Sequence, residues 1–349
     1  MLYAFELSGE HETLPVFEIF ACLEIKELEY SEYAHFDQCL VVDISGETES
    51  VEKKLTSVSK RLAMSHSVLK VADICDTDID EILKTAENLD IRKHMTPGQT
   101  YAVRAKKVKH YTSINRENLE KKVGGCVYRK GKSQDYHADL KNPDSELRLV
   151  LTEKCIMGSV VAKIDRSSFE NRVPHRRPFF YPGVLMPRTA RTVVNLSKVR
   201  PGETLFDPFC GTAGILMEAG LVGIDVTGLE VQYKIMSGAR MNLNHLNINY
   251  SLLLGDACRL PFADESMDAV VTDPPYGKSA LIKAESLKHL YTHSFREMYR
   301  VLKKGKYAVI VTGSPVREFI KDAGFVLHKE HHQRVHRSLT RVISVLYKE

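Results

Sequence analysis

The sequence predicts an α/β fold for the C-terminal half of the chain, built around a doubly wound, seven-stranded sheet. Two observations support this fold class: short apolar runs alternate with helical patterns beyond Pro201, and a turn-rich segment precedes that half. Repeated strand-turn-helix units form largely parallel sheets with helices on both faces. The N-terminal half mixes β-like runs with amphipathic helices, which predicts an α+β region.

The C-terminal strands are predicted from short apolar runs bounded by turn residues. They cover 203–207, 224–229, 250–254, 267–272, 307–312, 324–331 and 341–347, and a helix is predicted over 186–196. The last two strands have no helix between them. We therefore expect an antiparallel hairpin at the edge of the sheet.

The N-terminal half is predicted to contain two modules. The first covers 1–95, with strands at Leu2 to Leu7, Gln38 to Ile44 and Val68 to Ile74, and helices near 14–25, 50–63 and 79–88. The second covers 96–165, with a strand starting at Tyr101, a helix over 116–126, and strands at 147–153 and 156–164. Residues 166–186 are rich in proline and lack periodicity, so they predict a linker to a final domain over 187–349.

Composition narrows the class of protein. No apolar run approaches the ~20 residues that span a bilayer, and the N-terminus lacks the basic flank of a signal peptide, so we expect a cytoplasmic protein. The seven cysteines are scattered singly, which predicts neither a disulfide framework nor a metal site. A formal net charge of +4 permits a polyanionic partner without requiring one.

The first candidate site follows the strand that ends at Asp207. The strand passes through a glycine-containing turn into a helix, which lets a ligand approach the backbone at the carboxyl end of the sheet. A carboxylate there repels phosphate and suits a cation such as an ammonium or a sulfonium. The candidate cofactor residues of this turn are Asp207, Pro208, Cys210, Gly211, Thr212 and Gly214. The alternative interpretation is a tight strand-helix turn with no ligand.

Two further acidic residues end the next strands. Glu230 lies about 20 positions after Asp207, where an acidic side chain can hold a ribose hydroxyl pair. Asp256, followed by Ala257, ends the third strand, and both residues are further candidates for the cofactor site. Both carboxylates have plainer interpretations, as a charge at a helix N-terminus and as a helix cap.

The fourth strand ends in Asp273-Pro274-Pro275-Tyr276, followed by Gly277. The two prolines hold the loop extended and remove backbone donors. Such a loop can aim a carboxylate and a carbonyl at the two hydrogens of a planar amino group, with a tyrosine ring stacked on the base. We therefore expect Asp273, Pro274 and Tyr276 to be catalytic. A proline-stiffened turn with a chance aspartate is the alternative.

These motifs resemble a known family. Residues 182–349, with DPFCGTAG at 207–214 and DPPYG at 273–277, resemble class I S-adenosylmethionine methyltransferases that methylate amino groups, and these have a Rossmann-like sheet. Residues 100–164, with YAVRAKK at 101–107, resemble a THUMP domain, an RNA-binding module. The segments from Pro182 to Ser197 and from His336 to Arg341 resemble the archaeal tRNA guanosine-10 N2-methyltransferases.

The resemblance implies an enzyme that uses S-adenosylmethionine and adds one or two methyl groups to a guanosine in tRNA, with the first 165 residues placing the tRNA. It implies that Glu230 binds the ribose, that Asp256 lies near the adenine and that the Asp207 turn faces the methionine part. Asp273 would bind the guanine N2 amino group and Tyr276 would stack on the base. The basic clusters would then contact phosphates, and the candidates are Arg104, Lys106, Lys107, Arg176 and Arg177.

Two other functions remain open. The Asp-Pro-Pro-Tyr motif does not determine which base is methylated, so an N6-adenine methyltransferase acting on RNA or DNA is the nearest alternative. A non-catalytic RNA-binding protein is an alternative of another class. A partner is also expected at strand 250–254, which lies at the sheet edge in this topology and carries Leu252 to Leu254 without a charge or proline. The alternatives are that a neighbouring helix or loop covers these leucines, or that the chain itself dimerises there. The resemblance suggests a small zinc-binding activator protein that adds a strand there.

Overall fold

The computed structural model describes residues 1–131, 135–276 and 286–349. Lys132, next to the basic end of helix 116–131, and Gly277, which follows Tyr276, lie outside the described residues. The described chain divides into two compact units. The first contains 1–12, 26–60 and 64–164, and the second contains 13–25, 61–63 and 165–349.

The first unit is built on one mixed sheet, which in the described residues has eight strands in the order β2-β3-β1-β4-β8-β7-β5-β6. Most neighbouring strands are antiparallel, but β5 is parallel to both β7 and β6. The strands are β1 (Leu2–Leu7), β2 (Tyr30–Phe36), β3 (Cys39–Ile44), β4 (Ser65–Asp76), β5 (Thr100–Lys107), β6 (His137–Ala138), β7 (Ser145–Leu151) and β8 (Lys154–Lys163). Its helices are α2 (Thr48–Ser59), α3 (Ile79–Asn88) and α4 (Arg116–Gly131).

This sheet crosses the predicted division at residue 95. Strand β4, from the predicted first module, pairs along most of its length with β8 from the predicted second module. Helices α3 and α4 cover one face, where Ile82, Leu119 and Val123 share an apolar core with β5 and β7. The two predicted modules therefore share one sheet.

The second unit contains a seven-stranded sheet in the order β11-β10-β9-β12-β13-β15-β14. The strands are β9 (Thr204–Asp207), β10 (Asp225–Glu230), β11 (Tyr250–Leu254), β12 (Met267–Thr272), β13 (Leu302–Thr312), β14 (Val326–His336) and β15 (Leu339–Tyr347). The helices are α1 (Leu14–Ile25), α5 (Ser167–Glu170), α6 (Pro187–Leu196), α7 (Gly214–Gly220), α8 (Tyr233–His245), α9 (Leu287–Val301) and α10 (Arg317–Ala323).

The predicted doubly wound sheet is confirmed. Strands β9 to β13 are parallel, and β15 is inserted antiparallel between β13 and β14 to form the expected terminal hairpin. The carboxyl ends of β9, β10 and β12 meet at one edge of the sheet, since Asp207 is in register with Gly228 and Val270 with Phe206. The core beneath this edge is apolar, with Phe206, Phe295 and Met298 fully buried.

Helix α1 belongs to the second unit, although its sequence lies near the N-terminus. Glu18 on α1 is fully buried and accepts hydrogen bonds from Asn195 Nδ2 (2.9 Å) and the Ala63 backbone N–H (3.1 Å). Arg61 Nε in turn donates to Asn195 Oδ1 at 3.1 Å. A buried carboxylate needs such partners, so this network fixes α1 against α6.

The predicted linker over 166–186 also packs into the second unit. Arg172 makes a two-point ion pair with buried Glu218 on α7, with nitrogen to oxygen distances of 2.7 and 3.2 Å. The Phe179 backbone N–H donates to Asn242 Oδ1 at 2.9 Å. Side-chain contacts of this kind leave no periodic pattern in sequence.

Within the described residues, no helix is long and apolar enough to cross a bilayer.

Candidate active site

A cleft of about 370 Å³ opens at the carboxyl ends of β9, β10, β11 and β12. Three strand-end carboxylates share one local geometry: Glu230 and Asp256 line the cleft, and Asp207 is buried next to it without lining it. Asp207 accepts the backbone N–H of Phe209 (3.1 Å), Glu230 that of Gln232 (2.9 Å), and Asp256 that of Cys258 (2.9 Å). Each carboxylate thus binds the backbone two residues further on, which fixes its orientation as the chain turns.

Asp207 lies deepest of the three. It is 2% exposed, and Thr272 Oγ1 donates to its Oδ1 at 2.6 Å. The pKa of Asp207 is raised to about 7: burial is the largest cause, the charges of Asp273 and Glu230 also raise it, and the two hydrogen bonds lower it. A bound cation therefore stabilises the ionised form of this carboxylate.

The turn after Asp207 divides into residues that line the cleft and residues that pack beneath it. Pro208 and Gly211 line the cleft, and Gly211 has a positive φ of 51° that favours glycine. Cys210 is 4% exposed and its Cβ would lie 3.0 Å from a Cβ added to Gly228, so it packs against β10. Thr212 is also buried, and Gly214 begins α7 outside the cleft lining.

The other predicted cofactor residues lie along the cleft wall. Glu230 is 9% exposed, Asp256 is exposed, and Ala257 is buried among the apolar core residues. All three line the cleft together with Leu229 and Ile235. An acidic wall with an apolar floor suits a nucleoside whose hydroxyls need acceptors and whose base needs a flat apolar surface.

Asp273 lies at the end of this cleft, where β12 ends. Its Oδ1 is buried and has no hydrogen-bond partner among the described residues. Burial raises the pKa of Asp273 to about 7, while the charge of Arg341 and a hydrogen bond from Tyr276 lower it. A buried acceptor without a donor is unfavourable in isolation and indicates a place for a donor on a ligand.

The remaining residues of the loop support this aspartate. Pro275 lines the cleft, Pro274 is buried, and the Pro275 carbonyl accepts a hydrogen bond from the Tyr291 hydroxyl at 3.1 Å. The Tyr276 hydroxyl accepts a hydrogen bond from Arg341 Nε at 3.1 Å. The loop is therefore held by helix α9 on one side and strand β15 on the other.

Two aromatic residues that line the cleft, Phe209 and Tyr181, are not among the residues predicted from sequence. Tyr181 is 42% exposed and lies within the segment predicted to be a linker. The neighbouring Phe179 is fixed by Asn242, and a Cβ on Gly238 would lie 2.1 Å from its ring. The signal was present as three consecutive aromatic residues, Phe179 to Tyr181, in a segment otherwise predicted to be a spacer.

The first unit has a basic cleft of its own, of about 820 Å³. Its five cations outnumber its two carboxylates: it is lined by Arg104, Lys106, Lys107, Arg116 and Arg148 with Glu117 and Glu120. Lys107 and Arg116 are exposed at this surface. Lys106 instead contacts buried Glu6 at 3.0 Å, a carboxylate that also binds Arg148.

The ion pairs of Glu6 distinguish the cations that are used inside the protein from those that remain accessible to a ligand. Burial would raise the pKa of Glu6, but Arg148 and Lys106 outweigh burial and lower it to about 2. Glu6 therefore partly neutralises the charges of Arg148 and Lys106 inside the protein. Arg104 donates to the Leu140 carbonyl through Nη2 and keeps part of its guanidinium at the cleft. Lys107 and Arg116 are the exposed cations of this cleft, and Arg116 Nε also lies 3.9 Å from Glu120 Oε1. Both are candidates for a phosphate contact.

The two arginines of the second unit that are predicted to bind RNA differ in their burial. Arg176 is exposed. Arg177 is 9% exposed, its Nε donates to the Arg172 carbonyl at 2.9 Å, and burial lowers its pKa to about 10. The expectation that Arg177 contacts a phosphate therefore has to be corrected, because its guanidinium packs beside Gly214 beneath the surface.

Comparison with family models gives two matches. Residues 174–343 match the model described as RMKL-like, methyltransferase domain, and residues 76–160 match the THUMP domain model. The fold agrees with solved structures: TrmN from Thermus thermophilus aligns over the full length of both chains with a TM-score of 0.56 at 20% identity. A possible methylase from Clostridium difficile 630 also aligns with a TM-score of 0.56, at 16% identity, over 100% of this chain and 98% of its own.

Comparison with curated proteins extends the likeness to the whole chain. The tRNA (guanine(10)-N2)-dimethyltransferase of Methanothermobacter thermautotrophicus is 34% identical over 97% of each chain. The protein of the same name from Pyrococcus abyssi is 32% identical over 89% of each chain, and that of Methanocaldococcus jannaschii is 29% identical over 99% of this chain and 100% of its own. The resemblance predicted from sequence is confirmed, and the chain belongs to the tRNA (guanine(10)-N2)-dimethyltransferase family.

Proposed function

We propose that this protein transfers methyl groups from S-adenosylmethionine to the exocyclic N2 amino group of a guanosine in tRNA, and that the guanosine is at position 10, as in the names of its relatives. The observation that carries the proposal is the buried, unpartnered Oδ1 of Asp273 at the end of the cleft. An aminated base edge offers the N–H donor that this oxygen lacks.

The cleft suits the cofactor by charge. When bound, S-adenosylmethionine supplies a methyl group on a positively charged sulfur. We place that sulfur near Asp207, Glu230 and Asp273, whose charges interact, since those of Asp273 and Glu230 add to burial in raising the pKa of Asp207. Glu230 and Asp256 carry acceptors along the wall where we place the ribose and the adenine, and Tyr181 also lines the cleft.

Asp273 performs two tasks in this proposal. Its Oδ1 accepts one N–H of the amino group, which turns the nitrogen lone pair towards the methyl donor. Because its pKa lies at about 7, the carboxylate can also accept the proton that the amino nitrogen loses. The Pro274-Pro275 backbone has no N–H to compete for the carboxylate.

Nucleoside mass spectrometry tests the proposal and its rivals together. Purified protein, S-adenosylmethionine and unmodified tRNA should yield N2-methylguanosine or N2,N2-dimethylguanosine, and a tRNA with adenosine at position 10 should yield neither. Formation of N6-methyladenosine would favour the adenine methyltransferase instead. Cofactor binding without any methylated nucleoside would favour the non-catalytic RNA-binding protein.

Affinity for S-adenosylmethionine should increase with pH between pH 6 and pH 7.5. Asp207 has a pKa of about 7, so it is mostly protonated at the lower pH and mostly ionised at the higher one, where it attracts the cationic ligand. We expect the dissociation constant from calorimetry to fall by roughly five- to tenfold over that range. Asp207→Asn should flatten the dependence, and a dependence unchanged in that variant would contradict the assignment.

We also propose that β11 accepts a strand from a partner, namely the small zinc-binding activator expected from the resemblance. Strand β11 is an edge of the sheet, and Leu254 on it is 54% exposed. Exposed edges without charge invite pairing with another chain. Tyr250, Leu252 and Leu253 are half-buried and continue the same edge.

Co-expression with a candidate activator tests whether strand β11 binds this partner. Leu254→Lys should abolish co-purification and lower the sedimentation coefficient to that of the single chain, because a charge disfavours strand pairing. Val326→Lys is a matched control, since Val326 is 43% exposed on β14 at the opposite edge. A monodisperse, fully active single chain that gains nothing from the activator would eliminate this partner.

A further inference from the structure

Arg341 is a buried cation beside the proposed reaction centre to which the mechanism has given no role. It lies on β15, is 7% exposed, and donates from Nε to the Tyr276 hydroxyl at 3.1 Å. It is also the last residue of the His336 to Arg341 segment that carries part of the family resemblance. The antiparallel hairpin brings it to this place, because Val342 is in register with Thr312 at the end of β13.

The Tyr276 ring is confined on its other side. Gly313 follows β13, and a Cβ added to Gly313 would lie 2.7 Å from Cδ2 of the ring. Only glycine leaves room for the ring in this position. The hydroxyl is therefore held by Arg341 while the ring rests on the backbone at Gly313, and the Tyr291 hydroxyl holds the adjacent Pro275 carbonyl.

Arg341 holds the Tyr276 hydroxyl, and Tyr276 lies three residues after Asp273 in the same loop. A phenol oxygen that accepts a hydrogen bond from a guanidinium keeps its own proton free to donate. The Arg341 charge and the Tyr276 hydroxyl both lower the pKa of Asp273, which burial raises. The titratable groups around Asp273 are Arg341 on β15, Tyr276 in the loop, Asp207 on β9 and Tyr291 on α9.

We propose that Arg341 is a positioning residue for methyl transfer: by holding the Tyr276 hydroxyl, it fixes the loop of residues 273–276 in the orientation in which Oδ1 of Asp273 faces the amino group of the substrate. This inference rests on the proposed function. Arg341 acts through Tyr276 and Asp273 and needs no contact with the substrate or the cofactor.

The test compares Arg341→Gln, Arg341→Lys, Tyr276→Phe and the double variant Arg341→Gln/Tyr276→Phe. Arg337→Gln is the control, since Arg337 is an exposed arginine in the same hairpin. The measurements are kcat and KM for tRNA, the pH dependence of kcat/KM, and S-adenosylmethionine affinity by calorimetry. A carboxyl-detected NMR titration of Asp273, assigned with Asp273→Asn, adds a readout that needs no turnover.

We expect Arg341→Gln to lower kcat by about tenfold with KM nearly unchanged, and to move the acid limb of the profile up by about one pH unit. Arg341→Lys keeps the charge, so the limb should stay near that of the wild type and part of kcat should return. At a pH above the acid limb, the double variant should match Tyr276→Phe in kcat within about twofold, because both changes remove one contact, while its acid limb should lie at higher pH because it also lacks the Arg341 charge. Cofactor affinity and the profile of Arg337→Gln should not change.

Wild-type kcat and an unmoved acid limb in Arg341→Gln would overturn the inference. So would a loss of cofactor affinity and thermal stability without a shift in the limb, because that pattern belongs to a residue needed only for folding. If the wild-type protein makes no methylguanosine, the proposed function fails, and the NMR titration still decides whether Arg341 sets the acidity of Asp273. An Asp273 titration identical in wild type and Arg341→Gln would refute the connection between these residues.

Discussion

Replacing Asp273 with alanine is expected to lower methyl transfer by about 10²- to 10⁴-fold, the usual contribution of a positioned proton-handling group. The variant loses both the acceptor that turns the amino group and the base that takes its proton. The measurement is single-turnover methylation of tRNA with radiolabelled S-adenosylmethionine. Cofactor affinity should stay within a few-fold, because Asp273 lies at the end of the cleft and Glu230 and Asp256 remain along its wall.

Asp273→Asn sharpens this test. Asparagine keeps the shape and one carbonyl acceptor but loses the base, so it should retain more activity than alanine and lose the acid limb near pH 7. Asp225→Asn is the matched control, since Asp225 is exposed at the start of β10, at the opposite end of the strand from Glu230. Near-normal turnover of both Asp273 variants would remove this residue from the mechanism.

The central strands of the second unit could be predicted because they are largely buried, unlike the edge strands β11 and β14. The run from Met267 to Thr272 is apolar apart from Asp268 and Thr272, and the strands β9, β10 and β12 end at or next to acidic residues. Parallel strands place those ends at one edge, so the carboxylates could be brought together from sequence. The packing roles of Cys210 and Thr212 could not, because nothing in the turn distinguishes the side that faces the cleft from the side that faces β10.

The first unit was harder to predict. Strand β2 (Tyr30–Phe36) was missed because its side chains are largely exposed at a sheet edge and include Glu32 and His35. The division expected at 95 separates strands that pair in one sheet, since pairing between β4 and β8 joins residues more than 70 positions apart. Local sequence patterns predict individual helices and strands. Which of these elements share a core depends on strand pairing between residues far apart in sequence, which local patterns do not show.

The largest differences between the sequence-based predictions and the structure concern the burial of charged residues. A basic residue in sequence looks like a surface residue, yet Arg177 and Arg191 are buried and Glu218 is 1% exposed. Arg172 and Arg191 both bind Glu218, with Arg191 Nη2 to Oε2 at 2.9 Å. The charges of Arg172, Arg191 and Glu218 are stabilised by pairing, and the partner of an arginine lies on another element that sequence cannot identify.

Reversing the charge of the exposed basic cleft in the first unit is expected to raise KM for tRNA by more than about tenfold. Lys107→Glu/Arg116→Glu replaces two cations that line this cleft and have accessible side chains. Binding of a cation to a phosphate releases counterions, so the slope of log K against log salt should decrease by about one for each cation removed, and by about two in this variant. Filter binding of tRNA at several salt concentrations measures that slope, while kcat at saturating tRNA and cofactor affinity should change little.

Point variants are preferable here to removal of residues 1–165, which the domain boundaries predicted from sequence would suggest. That deletion also removes α1, whose Glu18 accepts hydrogen bonds from Asn195 and Ala63 inside the second unit. Asn195 would lose buried partners in Glu18 and Arg61, each at a cost of about 1 to 3 kcal/mol. We therefore expect the truncated protein to be unstable, so its inactivity would say nothing about tRNA binding.

Lys122→Glu is the matched control for the charge reversal, since Lys122 is exposed on α4 but lies outside the basic cleft. A surface lysine that binds no phosphate should leave KM and the salt slope within experimental error when it is replaced. If Lys122→Glu raised KM as much as the paired variant, the effect would come from net charge, which steers any polyanion. Unchanged tRNA affinity in the Lys107→Glu/Arg116→Glu variant would show that the RNA lies on another surface.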